Sequence, residues 1–168
     1  MGIRSNHYDV AFEAFLRDQR QPYVFVDETR RAQLQSASLK SMDFVVYSAR
    51  GRNLLVDVKG RRYPSGGDGG HRWENWATDD DVESLLNWEQ VFGTDFRAVF
   101  VFAYEIISPD RIGDHQHVWE FRRRSYAFYG VWVDEFAERM RTRSASWETV
   151  GLRSADFREL RRPFRELL

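Results

Sequence analysis

Apolar residues repeat at helical spacing near the start of the chain. Between Tyr8 and Leu16 each apolar residue has another one three or four positions away, a spacing that keeps their side chains on one face of an α-helix. Ser5 and Asn6 precede them, and either residue can cap a helix. The pattern therefore predicts a helix over residues 7–19, which Pro22 prevents from continuing.

Strand-like runs follow this helix. Residues 23–26 are β-branched and aromatic and predict a first strand. Residues 27–40 are polar and poorly periodic, so we expect a loop there with at most one helical turn. Apolar runs at Met42–Tyr47 and Leu54–Lys59 flank residues 48–53, which contain the Gly and Asn of a turn. These two runs are expected to form a β-hairpin.

The middle of the chain predicts a loop, a helix and a buried strand. Residues 60–70 are rich in glycine and offer little to a core, so we expect a surface loop. Thr78 and the acidic run 79–81 are typical of the start of a helix, and we expect this helix to end at Gly93. We therefore interpret the acids as part of a helix start and not as a metal site. Arg97–Tyr104 is almost entirely apolar and predicts a strand buried on both faces.

The last third of the chain is predicted to add further strands and a helix. A polar loop at residues 108–116 precedes strand-like runs at His117–Phe121 and Tyr126–Val133, and residues 134–143 favour a helix. A chain of 168 residues, 42% of them hydrophobic, can fill one core. We therefore predict a single α/β domain over residues 1–168, with a mixed sheet flanked by helices.

The composition narrows the class of protein. Cysteine is absent, which excludes disulfides and thiolate metal sites, so a metal would need oxygen or imidazole ligands. No apolar run approaches the roughly 20 residues that cross a bilayer, and we expect a cytoplasmic protein with no membrane partner. The net charge of -1 argues against a protein that coats nucleic acid by bulk electrostatics, although basic residues are concentrated between Arg50 and Arg72.

Two acids and a lysine are expected to meet on the predicted hairpin. Asp57 and Lys59 share one face of the second strand, because side chains alternate between faces. Asp43 begins the first strand, and antiparallel pairing can bring its carboxylate to that of Asp57. Adjacent carboxylates repel each other unless a cation neutralises them, and hard oxygen ligands suit Mg²⁺ or Mn²⁺. Such a metal can activate water against a phosphate, with Lys59 orienting or deprotonating that water, which is the chemistry of phosphodiester hydrolysis.

The residues around this hairpin resemble a known nuclease motif. In the PD-(D/E)xK nuclease superfamily an acid opens one strand and an acid-x-Lys motif closes the next, and here Asp43 and Asp57-Val58-Lys59 are similarly placed in LKSMDFVVYSARGRNLLVDVKGRR. The predicted element order over about residues 7–104 is similar to the αβββαβ core of that superfamily, and the pattern is closest to small Holliday-junction-resolvase-like nucleases. The resemblance implies a restriction-endonuclease-like core at residues 1–107 and a C-terminal α+β elaboration at residues 108–168.

The resemblance also implies further ligands and a substrate. Resolvases of this kind carry another acidic metal ligand on the first helix, where Asp9 and Glu13 lie one turn apart, and Asp9 is preferred because it lies nearer the helix start. The implied protein is a Mg²⁺- or Mn²⁺-dependent endonuclease acting on DNA rather than RNA, with branched DNA among its candidate substrates. Its catalytic residues would be Asp43, Asp57 and Lys59.

Other assignments stay open from the sequence. Lys40, Arg61, Arg62 and Arg72 could bind backbone phosphates, or they could form the charged rim of a loop. A nuclease fold that binds nucleic acid or a protein without cutting is the main alternative function. A scaffold is a further alternative, because the aromatic residues between Trp119 and Trp132 could form a homodimer face as well as a core.

Overall fold

A mixed β-sheet lies at the centre of the computed structural model, which describes residues 6–27, 31–34, 37–66 and 73–168. Within these residues, seven strands form the central sheet, three strands form a second sheet and two strands form a separate hairpin. In chain order the elements are α1 (His7–Asp18), β1 (Tyr23–Phe25), β2 (Ala32–Leu34), β3 (Ala37–Leu39), β4 (Phe44–Val46), β5 (Asn53–Tyr63), β6 (Ala77–Thr78), α2 (Asp79–Phe92), β7 (Phe96–Ile106), β8 (Trp119–Phe121), β9 (Arg124–Trp132), α3 (Val133–Arg139), β10 (Arg141–Ser144), β11 (Thr149–Gly151), α4 (Ser154–Leu160) and β12 (Arg162–Pro163). Two short 3-10 helices lie at Pro109–Asp114 and Phe164–Leu167.

The central sheet has the strand order β1-β4-β5-β7-β9-β12, and β8 pairs with the first part of β9. β5 and β7 are parallel along their full length, from Asn53 opposite Phe96 to Tyr63 opposite Ile106. The other neighbouring strands are antiparallel. A parallel pair needs a crossover connection, which β6 and α2 supply here. The predicted mixed α/β fold, with helices flanking the sheet, is confirmed.

The first helix covers one face of the sheet. Asn6 caps α1, because its side-chain oxygen accepts a hydrogen bond from the Tyr8 N–H at 3.0 Å. The other candidate cap, Ser5, lies outside the described residues. The buried stripe of α1 packs on the side chains that β4, β5 and β7 direct to this face, namely Phe44, Val46, Leu54, Val56, Val58, Val99, Val101 and Ala103. The helical periodicity predicted this packing face correctly.

The opposite face of the sheet is covered by α2, α3 and α4. A capping box starts α2: the Thr78 hydroxyl accepts the Asp81 N–H at 3.1 Å, and the Asp81 carboxylate accepts the Thr78 N–H at 2.9 Å. Gly93 ends the helix with a φ of 92°, a conformation that favours glycine. Both predicted ends of this helix are confirmed.

Residues 108–168 contribute directly to the central sheet, because β9 lies between β7 and β12. Tyr126, Phe128 and Tyr129 of β9 are buried in the two layers of the core. These three residues therefore belong to the core, and a homodimer face that includes the half-buried Trp119 and Trp132 stays a prediction. Among the described residues, no helix combines the length and the apolar character needed to cross a lipid bilayer.

Three local predictions differ from the structure. Part of the predicted loop at residues 27–40 is the β2–β3 hairpin, whose strands are too short to show a period in the sequence. The predicted surface loop at 60–70 begins late, because β5 continues to Tyr63. The predicted helix at 134–143 ends at Arg139, since Met140 adopts an extended conformation and Arg141 starts β10.

Gly60 allows α1 to approach β5 closely. A Cβ atom at this position would overlap the ring of Tyr8. We expect Gly60→Ala to lower the free energy of unfolding by about 1–3 kcal/mol, because the ring or the helix must move away from the strand. Thermal or denaturant unfolding measures this change.

Gly51→Ala is the matched control for that substitution, because a Cβ atom at Gly51 meets nothing within 4 Å. Its unfolding free energy should stay within about 0.5 kcal/mol of the wild type. Equal stabilities for the two variants would show that Tyr8 does not constrain Gly60.

Candidate active site

Asp43 and Asp57 lie opposite each other across the β4–β5 hairpin. The register that pairs Val45 with Leu55 places the two aspartates side by side, on the face of the sheet that α2 covers. Asp43 is buried, and its Oδ2 accepts a hydrogen bond from the Val58 N–H at 2.6 Å. The two carboxyl groups also share a hydrogen bond. The structure thus brings together the two acids that the sequence pattern singled out.

The pair of carboxyl groups has the donor chemistry of a divalent cation site. Burial raises the pKa of Asp57 above its ordinary value, and the neighbouring Lys59 only partly opposes this effect. The like charge of the Asp81 carboxylate adds to the cost of ionising Asp57. A divalent cation removes that cost, and Mg²⁺ and Mn²⁺ prefer oxygen ligands of this kind. Asp43 and Asp57 therefore fit such an ion.

Lys59 lies between two acids. Its Nζ is 3.1 Å from the Asp57 Oδ2 and 2.8 Å from the Asp81 Oδ2, and its side chain is only 16% exposed. Burial alone would lower the pKa of Lys59, but the two carboxylates outweigh it and raise the pKa above its ordinary value. The ammonium group is therefore held in one position, next to the proposed metal ligands.

Asp81 is a site residue that the sequence interpretation missed. The acidic run was expected only to start α2, and Asp81 does belong to the capping box, but its carboxylate also binds Lys59 and, at 2.9 Å, the Nζ of Lys40. Burial alone would raise the pKa of Asp81, yet Lys59 and the other donors lower it well below its ordinary range. The T-x-x-D spacing from Thr78 indicates the cap. The contact with Lys59 depends on tertiary structure.

Asp81→Asn tests whether this acid positions Lys59. The amide keeps the shape of the side chain and loses the charge that holds the ammonium group. For the DNA cleavage that the sequence predicts, we expect kcat to fall about 10- to 100-fold with little change in KM. The lost ion pairs should lower the unfolding free energy by about 1–3 kcal/mol. Cleavage kinetics and thermal unfolding measure the two effects.

Asp79→Asn is the control for Asp81→Asn. It removes the same charge from the first turn of the same helix, from an exposed side chain. A general effect of helix-terminus charge would lower kcat equally in both variants, and that result would rule out a specific role for Asp81.

The two acids of α1 are placed differently from each other. Glu13 accepts hydrogen bonds from the Tyr23 hydroxyl at 2.8 Å and from Arg17 at 3.3 Å. Tyr23 pairs with Val46, at the opposite end of β4 from Asp43, so the structure does not bring Glu13 to the carboxylate pair. Asp9 is buried at 4% exposure. Among the described residues, no three acidic or histidine side chains group closely enough to hold a metal, so a third ligand from α1 stays a prediction.

The predicted phosphate-binding residues occupy three kinds of environment. Arg61 stacks on the Trp76 ring at 3.9 Å and donates to the backbone oxygens of Gly60 and Trp76, so it is committed to the fold and is not free to bind phosphate. Lys40 pairs with Asp81, as described above. Arg62 is exposed beside a groove that Pro64, Ser65 and Gly66 also line. Arg72 lies outside the described residues.

Comparison with known proteins adds information about the fold. No protein-family model and no curated protein sequence matches the chain. Among solved structures, the chain is similar to Hjc of Archaeoglobus fulgidus, a Holliday junction resolvase from an archaeal hyperthermophile, with a TM-score of 0.55 and 15% sequence identity. The similarity covers 96% of this chain and 97% of that chain. The chain has a restriction-endonuclease-like fold.

The structural similarity extends further along the chain than the sequence resemblance. The sequence resemblance covered about residues 7–104, whereas the structural similarity includes most of the C-terminal third. This agrees with the position of β9 inside the central sheet. The division into a core at residues 1–107 and an elaboration at residues 108–168 stays a prediction.

Proposed function

We propose that this protein is a metal-dependent endonuclease that hydrolyses phosphodiester bonds in DNA. The observation that supports the proposal most is the pair of adjacent carboxyl groups of Asp43 and Asp57, with the Lys59 ammonium 3.1 Å from Asp57. The fold of the chain adds support, since a structurally similar protein is a Holliday junction resolvase. Branched DNA is for this reason the first substrate to test.

Each residue of the proposed site has a distinct role. Asp43 and Asp57 would hold Mg²⁺ or Mn²⁺, which supplies a polarised phosphoryl oxygen and a more acidic bound water. The Val58 N–H fixes the orientation of the Asp43 carboxylate. Lys59 would orient the attacking water and offset negative charge as the phosphate reacts, because Asp57 and Asp81 keep its ammonium group beside the proposed metal ligand Asp57. Asp81 and Lys40 support the site without contacting the phosphate.

A panel of nucleic acids tests the proposal. Single-stranded, duplex, nicked and four-way-junction DNA, with RNA of matching sequence, would be incubated with Mg²⁺, Mn²⁺, Ca²⁺ or a chelator. We expect cleavage of DNA with Mg²⁺ or Mn²⁺ and none with the chelator. Asp57→Asn protein, purified in the same way, controls for a contaminating nuclease. Tight DNA binding without cleavage under every condition would instead favour a non-cleaving binding module.

A further inference from the structure

A cavity of about 260 Å³ opens beside Trp73 and Trp76, which precede β6 in the chain. Its walls are residues 73–76, β10 and residues 151–154, and they carry three arginines and one acid, Glu74. Arg141, Arg143 and Arg153 are all exposed. The charge of the lining is therefore strongly positive.

Among the described residues, the three cavity arginines lack the acidic partners that several other arginines of the protein have. Arg97, Arg124 and Arg139 each form an ion pair with an acid, at 3.0, 3.2 and 2.9 Å respectively. Within the part of the chain that the structure describes, no acid lies within ion-pair distance of the three cavity arginines, whose positive charge is left for an external anion. Arg143 has an aromatic contact only, at 5.2 Å from the Trp76 ring.

Trp76 relates the cavity to the proposed active site, because it lines the cavity and also contacts a residue of β5. Arg61 lies on β5, two positions beyond Lys59, and stacks on the same Trp76 ring that lines the cavity. Asp57 and Arg61 are four positions apart along β5, or about 13 Å. That length equals the rise of about four nucleotides of duplex DNA. A strand cut at Asp57 can therefore reach the cavity.

The strand that carries two of the arginines is fixed relative to the site. β10 pairs with β11, and β11 pairs with β6, so that Thr149 lies opposite Thr78. The Asp79 N–H also donates to the Glu148 oxygen at 3.0 Å. This small sheet is thereby attached to the start of α2, which holds Asp81 against Lys59. The arginines and the catalytic lysine are consequently connected by a continuous hydrogen-bonded structure.

We propose that Arg141, Arg143 and Arg153 bind backbone phosphates of the DNA strand next to the scissile bond. The inference rests on the proposed nuclease function and adds a binding site to it. Phosphate is the ligand class that fits, because guanidinium groups match its geometry and no acid in the cavity neutralises all three charges. Contacts of this kind fix the register of the strand without reading its sequence.

A triple variant, Arg141→Gln with Arg143→Gln and Arg153→Gln, tests the site by DNA binding in Ca²⁺ at several salt concentrations. Glutamine keeps much of the side-chain length and removes the charge. We expect affinity to fall about 30-fold or more near 0.1 M salt, and the slope of log affinity against log salt to decrease by about 2 to 3. Thermal unfolding confirms that the variant is folded.

A second triple variant controls for the loss of charge. Arg20, Arg50 and Arg52 are equally exposed, and the last two lie in the turn at the opposite end of β5 from Lys59. Changing all three to Gln should alter affinity by less than about threefold, because they lie away from the proposed strand path. An equal loss of affinity in both triple variants would overturn the proposed site, since only overall charge would then matter.

Replacing single backbone phosphates of the DNA by uncharged analogues shows which phosphates the cavity arginines contact. Methylphosphonates placed singly along the substrate should weaken wild-type binding at about three to five nucleotides from the cleaved bond, and this effect should disappear in the cavity variant. Wild-type cleavage with no such interference would overturn the site and leave the nuclease proposal standing. Interference without any cleavage would support the site and contradict the nuclease proposal. If the wild type binds no DNA, both fail.

Discussion

Asp57→Asn should reduce the rate of metal-dependent DNA cleavage by about a thousandfold or more. The substitution keeps the shape of the side chain and its ability to hydrogen-bond with Asp43, but it removes one of two proposed metal ligands and the charge beside Lys59. A thousandfold lower rate corresponds to a loss of about 4 kcal/mol of transition-state stabilisation, which is the size of effect expected when a metal ligand is removed. Single-turnover cleavage with saturating protein measures the chemical step directly.

The same variant should keep its fold and its DNA affinity. A buried carboxyl group beside a mostly buried one destabilises the fold when no cation is bound, so a neutral amide should leave thermal stability unchanged or raise it. DNA affinity in Ca²⁺ should stay within about threefold of wild type, because the phosphate contacts lie elsewhere. Asp110→Asn, at an exposed acid, is the control and should affect neither property. Undiminished cleavage by Asp57→Asn would remove this residue from the active site.

Lys59→Arg should lower cleavage by about a hundredfold while binding is retained. The ammonium group is compact and fits between Asp57 and Asp81, whereas a guanidinium group is planar, wider and always protonated. The substitution therefore preserves positive charge and changes the position of the donors. Cleavage rates, DNA affinity and thermal unfolding of the variant separate these effects. Cleavage close to the wild-type rate would mean that Lys59 supplies charge alone.

Lys40→Arg is the natural control for this change. The chain has only two lysines, and both bind the carboxylate of Asp81. Lys40 is 41% exposed, which leaves room for a larger group, and it does not contact Asp57. We expect its cleavage rate to stay within about threefold of wild type. A large loss in this variant would indicate that the position of Asp81, rather than that of Lys59, limits the rate.

The parts of the fold that the sequence predicted well have long and regular patterns. α1 and α2 have apolar faces at helical spacing and recognisable caps, and β7 is a long apolar run. Asp43 and Asp57 could be paired from the sequence because a hairpin relates them by a simple register. Local patterns were sufficient to predict these features, because their contacts are made by residues close in sequence or by one complete face of a helix or strand.

The parts that could not be predicted depend on contacts between distant residues. Asp81 has the position of an ordinary helix cap, and only the packing of α2 on β5 shows that its carboxylate reaches Lys59. Arg61 has the sequence context of a loop cation, but β5 continues through it and places it on Trp76. The β2–β3 hairpin is too short to show a period. Tertiary structure determines each of these features.

The position of β5 has a consequence for how a substrate is recognised. This strand is hydrogen-bonded to β4 on one side and to β7 on the other, with an unbroken register of eleven residues against β7. The backbone around Asp57 can open only when the centre of the sheet unfolds. The spacing of the two carboxylates is thus pre-organised, and no binding energy is needed to assemble them.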